Sequence, residues 1–350
     1  MNTQYINIDI NSIDFGLIKK AGEIIKSGGL VAFPTETVYG LGGDALNAKS
    51  SEKIYSAKGR PSDNPLIVHI ADVDDLYKIA EDVPKEALQL ADEYWPGPLT
   101  MIFKKKKCVP LETTGGLNTV AVRLPSHPVA REFIRASGGF VAAPSANLSG
   151  RPSPTTAEHV LEDMNGRIEM IIDSGACDIG LESTIIDFTG DIPMMLRPGF
   201  VSEQMLKEVL EKVSKDPAVF GENTEGVAPK APGMKYRHYA PKGNLTIVSG
   251  DAQRVSEYIL SRIQDKSKDI KVGVITCSDK VKEYSGADFV GDIGNRESEI
   301  TIASRLYDLL RRCDDECIDE IYSEEFDTPN LGMAIMNRLI KAAGHTIVRV

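Results

Sequence analysis

Hydrophobic and polar residues alternate with two different periods along the first part of the chain. The stretch IDFGLIKKAGEIIKSGG at 13–29 places its apolar side chains near one helical face and ends in a glycine pair that stops a helix. We interpret the short apolar runs as β-strands: LVAFPT 30–35, LIVHI 66–70, LTMIF 99–103, TVAVRL 119–124, FVAAP 140–144, IEMIID 168–173 and STIIDF 183–188. Helices are expected near 48–57, 73–81 and 85–94. Strands this apolar are covered on both faces, so the pattern predicts a mixed α/β domain over residues 1–213.

The end of the chain shows a more regular alternation of strands and helices. LTIVSG at 245–250 is followed by a helical pattern with Val255, Ile259 and Ile263 on one face. The alternation continues with strand VGVIT 272–276, helix 299–312, strand IDEIY 318–322, helix 331–343 and strand HTIVRV 345–350. This order indicates a small parallel, Rossmann-like domain over 244–350. No GxGxxG motif occurs, so the sequence gives no support for dinucleotide binding there.

A polar bridge, residues 214–243, joins the two patterns. It includes DPAVFGENTEGVAPKAPGM, which has little hydrophobic periodicity and a composition typical of linkers. It then carries KYRHYAP at 235–241, where two phenols, two cations and an imidazole stand together. We therefore predict a linker with an additional role between the two domains.

Composition narrows the class of protein. The 350 residues are 42% hydrophobic and 26% charged, an ordinary balance for a soluble globular chain. No apolar run approaches the ~20 residues of a membrane span. The N-terminus lacks a signal-peptide pattern, so we expect a cytoplasmic protein without membrane association. The five cysteines and five histidines are scattered without CxxC, HxxxH or HExxH spacing, which argues against a disulfide framework or a metal site built by the protein.

The chain is acidic, with a net charge of −11. Residues 1–213 alone hold 21 Lys and Arg against 29 Asp and Glu, which is unlike a basic nucleic-acid binder. The only dense basic run is KKKK at 104–107, which we interpret as a solvated turn, with an RNA contact as the alternative. Local cations must therefore bind any anionic ligand against the overall field of the domain.

Two polar segments of the first domain follow or precede predicted strands. PTETVYGLGGDA at 34–45 leaves a strand, and its glycines 40, 42 and 43 would allow a ligand to approach the backbone closely, with a plain glycine-rich turn as the alternative. KGRPSDNPLIVHI at 58–70 brings Lys58 and Arg60 to a loop held by two prolines. Cations anchored in this way suit phosphate groups.

Three further segments add polar side chains. Alternation along the strand NTVAVRLP places Thr119, Ala121 and Arg123 on one face, where an arginine requires an anion or a cleft; a structural salt bridge is the alternative. The remaining candidates follow or flank other strands: Ser145, Asn147 and Ser149 in APSANLSG, Glu182, Ser183 and Thr184 in GLESTIIDF, and Arg197 in LRPG. An Asx or Ser turn is the alternative for the APSANLSG residues, and a structural turn with a surface arginine is the alternative for the other two segments.

Taken together, Lys58, Arg60, Arg123 and Arg197 predict a cationic cavity for a phosphate-bearing substrate inside an acidic domain. The chain has no GxxxxGK[ST], so this is not a P-loop. It also has no G-x-S-x-G and no convincing Ser-His-Asp set, so nothing indicates a covalent acyl-enzyme.

The segments resemble a known family when they are considered together. PTETVYGLG, AKGRPSDNPLIVHI, WPGPLT, TVAVRLP, APSANLSG, ESTIIDF and LRPG are similar, in this order, to the YrdC-type domain of the threonylcarbamoyl-AMP synthase family. APGMKYRHYAP and the trailing α/β unit resemble the family's longer, two-domain form. The resemblance implies a YrdC-like twisted mixed sheet with helices and a central cationic cavity, followed by a small Rossmann-like parallel α/β domain.

The resemblance also implies a reaction. Members of the family act as nucleotidyltransferases that convert L-threonine, bicarbonate and ATP to threonylcarbamoyl-AMP and pyrophosphate. Mg²⁺ accompanies ATP. A downstream transfer complex passes the threonylcarbamoyl group to the adenosine next to the tRNA anticodon, and a direct contact with tRNA is possible.

The family's site residues carry over by motif. The threonine pocket corresponds to Thr37, His69, Arg123, Ala143 and Ser183. The ATP contacts correspond to Arg60, Asn64, Thr119, Ser145, Ser153, Arg197 and a linker tyrosine, Tyr236 or Tyr239. Lys58 and Arg60 are the expected catalytic cations near the phosphates.

Two hypotheses follow for the linker and for the whole chain. We expect KYRHYAP to fold over the mouth of the first domain as a lid, with a tyrosine near the nucleotide and Lys235, Arg237 or His238 near phosphate. The alternative to an enzyme is a non-catalytic protein that binds tRNA or double-stranded RNA. Its support is KKKK and the cavity cations, while the acidic balance and the lack of aromatic stacking platforms oppose it.

Overall fold

A computed structural model describes residues 2–217 and 239–350. These residues divide into two compact units. The first comprises residues 2–149 and 153–217, and the second comprises residues 150–152 and 239–350. Most of the predicted linker lies outside the described residues, so its boundaries remain a prediction.

The first unit is built from short strands and seven described α-helices. Its strands are β1 Gln4–Asn7, β2 Val31–Phe33, β3 Gly40–Asp44, β4 Ile67–His69, β5 Ala80–Glu81, β6 Leu99–Lys105, β7 Thr119–Arg123, β8 Val141–Ala143, β9 Met170–Asp173, β10 Thr184–Asp187, β11 Met194–Arg197 and β12 Ser214–Lys215. Its helices are α1 Phe15–Lys26, α2 Ala48–Lys58, α3 Leu76–Ile79, α4 Lys85–Tyr94, α5 Pro128–Ala136, α6 Ala157–Met164 and α7 Glu203–Val209, with a 3₁₀ turn at Val73–Asp75.

These strands form one sheet in the order β1-β9-β2-β3-β8-β4-β7-β6-β10-β11-β12, and β5 pairs with β6 beside this path. Parallel pairs, such as β4 with β7 and β6 with β10, stand next to antiparallel pairs, such as β6 with β7. The sheet is therefore mixed, as the sequence predicts.

Alternate residues of the central strands face two different apolar clusters. Val120 and Val122 of β7 belong to the main core of the unit. The residue between them, Ala121, belongs to a smaller cluster on the other face, whose members are Ile67, Ile102, Ala121, Ile185 and Leu196. Because side chains alternate along a strand, Thr119 and Arg123 share this second face with Ala121. The candidate site is built at the end of this face.

Helix α2 ends where the site begins. Lys58 is its last residue, because Gly59 adopts a left-handed conformation with φ of 61° that favours glycine. This C-cap releases the chain into the loop that carries Arg60 and Asn64.

The segment predicted as a ligand-contacting glycine loop is different in the structure. Residues 40–44 form β3, which pairs antiparallel with β2 and β8. A Cβ atom at Gly40 would lie 3.1 Å from the Phe33 ring, and one at Gly42 would lie 2.9 Å from Cγ1 of Val141. Side chains of the protein, rather than a ligand, therefore require glycine here, and the prediction of a ligand loop was wrong at Gly40, Gly42 and Gly43.

The second unit is an open α/β layer structure. Its elements are β13 Asn244–Ser249, α8 Ala252–Gln264, β14 Val272–Thr276, β15 Phe289–Asp292, α9 Glu299–Asp315, β16 Glu320–Glu324, α10 Gly332–Ala342 and β17 Ile347–Arg349. The strands are all parallel in the order β15-β14-β16-β13-β17, which confirms the predicted Rossmann-like sheet and adds β15 to it. Within the described residues, no helix has the length and apolar character needed to cross a membrane.

Candidate active site

Strand register aligns polar side chains across the second face of the first unit. Arg123 of β7 is the register partner of His69 on β4 and of Thr100 on β6. Thr100 Oγ1 lies 2.7 Å from Oγ of Ser183, the residue before β10. Arg197, the last residue of β11, donates from Nε to the Ser183 carbonyl at 3.0 Å and from Nη2 to its hydroxyl at 3.2 Å. We call His69, Arg123, Thr100, Ser183 and Arg197 the polar row; all five are buried.

Arg123 forms the central ion pair of the polar row. Its Nη2 lies 2.7 Å from Oε1 of Glu36, a buried residue in the loop between β2 and β3. The other carboxylate oxygen of Glu36 accepts a hydrogen bond from the Ser126 backbone at 3.2 Å. Among the described residues, Nε of Arg123 is buried without a hydrogen-bond partner. Since an unsatisfied buried donor is costly, this N–H suits an acceptor that a ligand supplies.

His69 contributes a neutral ring to the polar row. Its Nδ1 lies 3.2 Å from the Ile67 carbonyl, and its ring packs edge-on against Phe33 with centroids 5.8 Å apart. Burial, reinforced by the positive charge of Arg123, lowers the pKa of His69 from 6.5 to about 3. His69 is therefore uncharged at neutral pH and offers polarity without competing for an anion.

Thr37 and Ala143 lie on the strand exits near the polar row. The hydroxyl of Thr35 contacts that of Thr37 at 2.9 Å and donates to the Val38 carbonyl at 2.6 Å, which fixes the loop after β2. Ala143 ends β8, in register with Ile67 of β4. Both Thr37 and Ala143 are buried.

Lys58 holds the turn that follows β8. Its ammonium donates to the carbonyls of Ser145 and Asn147 at 2.5 and 2.6 Å, and Ser145 Oγ in turn donates to the Asn147 side chain at 2.5 Å. Lys58 is only 3% exposed. The structure therefore gives Lys58 a positioning contact with the APSANLSG turn, and its predicted catalytic role stays a prediction.

The loop after α2 presents an arginine and a buried amide. Arg60 donates from Nε to the Asn64 carbonyl at 3.3 Å and from Nη2 to the Pro65 carbonyl at 3.2 Å, so the loop's own backbone orients the guanidinium. Asn64 is buried, and its Oδ1 has no hydrogen-bond partner in the part of the chain that the structure describes. This oxygen is a second place where a ligand can complete the hydrogen bonding.

The remaining predicted ATP residues of the first unit lie in different settings. Ser153 is buried and donates to Oε1 of Glu182 at 2.6 Å. Thr119 begins β7 and is half-buried, opposite Lys104 of β6. Register and hydrogen bonds thus bring His69, Arg123, Ser183 and Arg197 together, and they join Lys58 to Ser145 in a second group.

The predicted linker contacts are mostly beyond the described residues. Lys235, Tyr236, Arg237 and His238 lie outside them, so the lid and the contact of Tyr236 with ATP stay predictions. Tyr239 is described: it is buried within the second unit, where its ring stacks on Tyr307 with centroids 5.2 Å apart. This packing gives Tyr239 a place in the core of the second unit.

The sequence analysis did not assign two members of the site. Glu36 stands in the quoted PTETVYGLG motif, and the available signal was the one acidic residue of that motif beside an expected need of Arg123 for an anion. Thr100 is the one polar residue in the apolar run LTMIF, which marks the strand face that is not all core.

Gly199 of the LRPG motif presses against the backbone that carries Ser183. A Cβ atom at this position would lie 2.4 Å from the Thr184 nitrogen and 2.8 Å from the Glu182 carbonyl oxygen. Only glycine therefore permits Arg197 and the segment 182–184 to approach as they do.

Two family models match the chain in succession. The family described as telomere recombination, which groups Sua5, YciO and YrdC, matches residues 23–199. The family described as threonylcarbamoyl-AMP synthase, C-terminal domain, matches residues 201–344. The chain belongs to the threonylcarbamoyl-AMP synthase family. The resemblance inferred from the seven sequence motifs is thus confirmed.

Relatives within the threonylcarbamoyl-AMP synthase family cover both units or only part of the chain. The threonylcarbamoyl-AMP synthase of Bacillus subtilis is 45% identical over 333 residues, which are 95% of this chain and 94% of the relative. The crystal structure of Pyrococcus abyssi Sua5 complexed with L-threonine is 45% identical, with a TM-score of 0.94 over 99% of this chain and 100% of that one. A putative threonylcarbamoyl-AMP synthase of Mycobacterium tuberculosis is 36% identical over 195 residues, only 56% of this chain but 89% of the relative.

Proposed function

We propose that this chain synthesises threonylcarbamoyl-AMP from L-threonine, bicarbonate and ATP. The observation that carries the proposal is Arg123, a buried arginine that is ion-paired to Glu36 and retains an unused donor at Nε among the described residues. A guanidinium N–H of this kind suits the carboxylate of an amino acid. The relative solved with L-threonine supports the choice of amino acid, since its fold matches along 99% of the chain.

The neighbours of Arg123 suit the rest of L-threonine. Thr37 and Ser183 bring hydroxyls that donate or accept, and neutral His69 adds a ring without a charge. Ala143 leaves room beside them because its side chain is a single methyl group. We assign the threonine hydroxyl and amine to this set, with Arg123 as the clamp for the carboxylate.

The reaction needs no nucleophile from the protein. The threonine amine adds to CO₂ derived from bicarbonate, which forms a carbamate and releases a proton that neutralises the hydroxide left by bicarbonate. A carbamate oxygen then attacks the α-phosphorus of ATP, and the bond from that phosphorus to the bridging oxygen of pyrophosphate breaks. This is a nucleotidyl transfer in which two anions meet, so fixed cations aimed at the developing charge carry the catalysis.

Arg60 and Arg197 are the cations that we assign to the phosphates. The backbone orients Arg60, and the Ser183 segment orients Arg197, so little reorganisation is needed when the charge develops. Lys58 positions the turn of Ser145 and Asn147, and Asn64, Thr119 and Ser153 complete the ATP set. Which linker tyrosine closes the nucleotide site, Tyr236 or Tyr239, is part of the lid hypothesis.

We assign Mg²⁺ to the triphosphate, as part of the substrate. Among residues 2–217 and 239–350, no group of three or more His, Cys, Asp or Glu side chains could hold a metal ion. The acids of the site are engaged elsewhere, Glu36 by Arg123 and Glu182 by Ser153. Mg²⁺ prefers phosphate oxygens and water in such sites, where it neutralises the charge of the leaving pyrophosphate.

The product defines the further partners. Threonylcarbamoyl-AMP is a mixed anhydride that water hydrolyses, so it requires an acceptor enzyme that passes the group to tRNA next to the anticodon. We place this activity in the cytoplasm, where tRNA, ATP and bicarbonate meet.

Pyrophosphate release with each substrate omitted in turn tests the proposal. We expect release only when L-threonine, bicarbonate and ATP are all present, because the carbamate forms before the attack on ATP. Release that continues without threonine would contradict the proposal, since it would indicate simple ATP hydrolysis.

The KKKK run, on which the RNA-binding alternative partly rests, has local partners within the protein. Lys104 pairs with Asp82 at 3.1 Å, and Lys105 and Lys106 donate to the carbonyls of Val109 and Tyr77. The KKKK run is thus largely occupied at the end of β6 and in the turn after it. Retention of tRNA at moderate salt without any pyrophosphate release would restore this alternative.

A further inference from the structure

The proposed reaction does not explain why the chain has a second unit. The Mycobacterium tuberculosis relative is 89% covered by a match that spans only 56% of this chain, so it has no room for the whole of both units. The chemistry that we propose also uses side chains of the first unit, apart from the linker tyrosine. The buried and charged side chains of the second unit therefore need an explanation other than the proposed reaction.

The topology of the second unit provides one crevice. From β14 the chain crosses to β15 on one side, whereas from its neighbour β16 it crosses to β17 on the other side. The loops that leave these two adjacent parallel strands therefore diverge at their carboxyl ends. In open α/β sheets, ligands bind outside the carboxyl ends of the strands at such a switch point.

A buried carboxylate spans this switch point. Thr276, the last residue of β14, donates from Oγ1 to Oε1 of Glu324, the last residue of β16, at 2.5 Å. The other oxygen of Glu324 lies 2.8 Å from Nη2 of Arg296 and 3.7 Å from Nζ of Lys280. The Glu324 side chain is 3% exposed, whereas those of Lys280 and Arg296 are 21% and 43% exposed. One buried anion thus orients two cations that reach the surface.

The two cations retain donors after these contacts. Lys280 makes one further contact, with Ser256 Oγ at 3.3 Å, and Ser256 in turn meets the Tyr284 hydroxyl at 3.2 Å. Arg296 also donates from Nη1 to the Glu325 carbonyl at 3.0 Å, and its Cζ lies over the Phe326 ring, 5.5 Å from the ring centroid. An ammonium has three N–H donors and a guanidinium has five, so both keep N–H groups for a ligand. Two oriented cations beside one oxygen suit a multivalent oxyanion.

The neighbouring charges at this edge already have partners of their own. Asp292, at the end of β15, accepts from Ser278 at 2.7 Å and lies 3.7 Å from Arg305. The Glu325 carboxylate accepts a hydrogen bond from Ser249. Asp292 is thus partly neutralised by Arg305, whereas the Glu325 carboxylate is hydrogen-bonded to a neutral hydroxyl and keeps its charge at the exposed rim.

We infer that the switch point between β14 and β16 binds a phosphoryl group of a small molecule, of the mononucleotide class, through Lys280 and Arg296. Glu324 and Thr276 are positioning residues that hold the two cations. Its residues all belong to the second unit and differ from those of the proposed active site.

Lysine acetylation of the full-length chain, mapped by mass spectrometry, tests the inference. The probes are AMP and inorganic phosphate at millimolar concentration, and the readout is the acetylation rate of Lys280. Lys266 is the internal control, because it is similarly exposed at 24% and paired, to Asp288, but belongs to a different ion pair of the same unit. We expect AMP to slow the acetylation of Lys280 at least about fivefold and to leave Lys266 unchanged.

The two probes distinguish the sources of the phosphoryl group. Equal protection by inorganic phosphate identifies a site for the phosphoryl group alone, and protection by AMP only identifies a mononucleotide site. The variant Arg296→Gln should lose the protection of Lys280 while pyrophosphate release from L-threonine, bicarbonate and ATP is unchanged. Unaltered acetylation of Lys280 with both probes, or equal slowing of Lys266, overturns the inference whatever the outcome of the pyrophosphate assay.

Discussion

Each unit contains an arginine–glutamate ion pair with a buried carboxylate, but the exposure of the arginine differs between them. In the polar row, Arg123 and Glu36 are both buried, and Nε of Arg123 is unsatisfied among the described residues. At the edge of the second sheet, Glu324 is buried and fully paired, whereas its partner Arg296 is 43% exposed. The first pair retains its unused donor inside the protein, and the second presents its cations at the surface. The comparison teaches that the two ion pairs differ in the exposure of the cation, and this difference separates the substrate clamp that we propose from the phosphoryl site that we infer.

The largest expected effect comes from breaking the enclosed pair. Arg123→Gln removes a charged hydrogen bond to the substrate, worth about 3 kcal/mol, so kcat/KM for L-threonine should fall about a hundredfold. It also leaves Glu36 as an unpaired buried charge, so the free energy of unfolding should fall by about 4 kcal/mol. Steady-state kinetics with varied threonine and varied ATP, together with urea unfolding, measure both effects.

A second variant separates stability from binding. Glu36→Gln combined with Arg123→Gln removes both charges, so most of the lost stability should return while the threonine defect remains. A defect confined to ATP would show that Arg123 serves the nucleotide instead.

A smaller effect is expected when the turn after β8 loses its anchor. Lys58→Met keeps the length of the side chain but removes the two hydrogen bonds to the Ser145 and Asn147 carbonyls, at a cost of about 3 kcal/mol. Because we assign Ser145 of this turn to ATP binding, KM for ATP should rise about tenfold, with KM for threonine little changed. A loss of kcat alone, with normal KM for ATP, would favour a direct catalytic role for Lys58.

The exposed pair should tolerate the matching change better. Glu324→Gln leaves Arg296 and Lys280 partly hydrated, so the free energy of unfolding should fall by only about 2 kcal/mol. Pyrophosphate release should stay at the wild-type rate when measured well below the unfolding transition. If Glu324→Gln lowered the rate of pyrophosphate release as much as Arg123→Gln does, the two ion pairs would not differ in their importance for catalysis.

The last effect is negligible at neutral pH and develops only on acidification. The pKa of His69 is about 3 in the folded state and near its ordinary 6.5 in the unfolded state. Between these values the unfolded state binds more protons, so stability is full above pH 6.5 and declines as the pH falls towards 3, by up to about 1.4 kcal/mol per pH unit. His69→Gln should reduce this slope in urea titrations from pH 6.5 to 4.5. An unchanged slope would mean that His69 titrates normally in the folded protein.

Periodicity predicted the elements whose apolar residues are regular. The strands around 66–70, 119–124 and 272–276, and the long helices of both units, lie where the hydrophobic pattern places them. It missed β3, because GLGGD has few side chains to form a pattern, and β15, because FVGD is too short. The pattern also did not predict the short elements β1, β5, β11, β12, α5, α6 and α7. Glycine is required at positions 40, 42 and 43 because side chains from other elements pack closely against them. A local sequence pattern does not show such contacts.

The candidate site was predictable by residue type but not by partnership. Arg123 on a strand face required an anion or a cleft, and the structure provides the anion, Glu36, from a segment 87 positions away. Lys58 was expected near phosphates, yet its contacts run to a turn 87 and 89 residues further along the chain. The pairing of donors with acceptors depends on how distant strands align in the folded sheet. A local stretch of sequence does not contain that alignment.

Gly199 limits how the threonine pocket that we propose could be redesigned. A methyl group at this position would clash with the backbone of residues 182–184. The backbone behind Ser183 therefore cannot move towards Gly199. Substitutions meant to accommodate a larger amino acid should therefore be made at Thr37 or Ala143, and the LRPG segment should be kept unchanged.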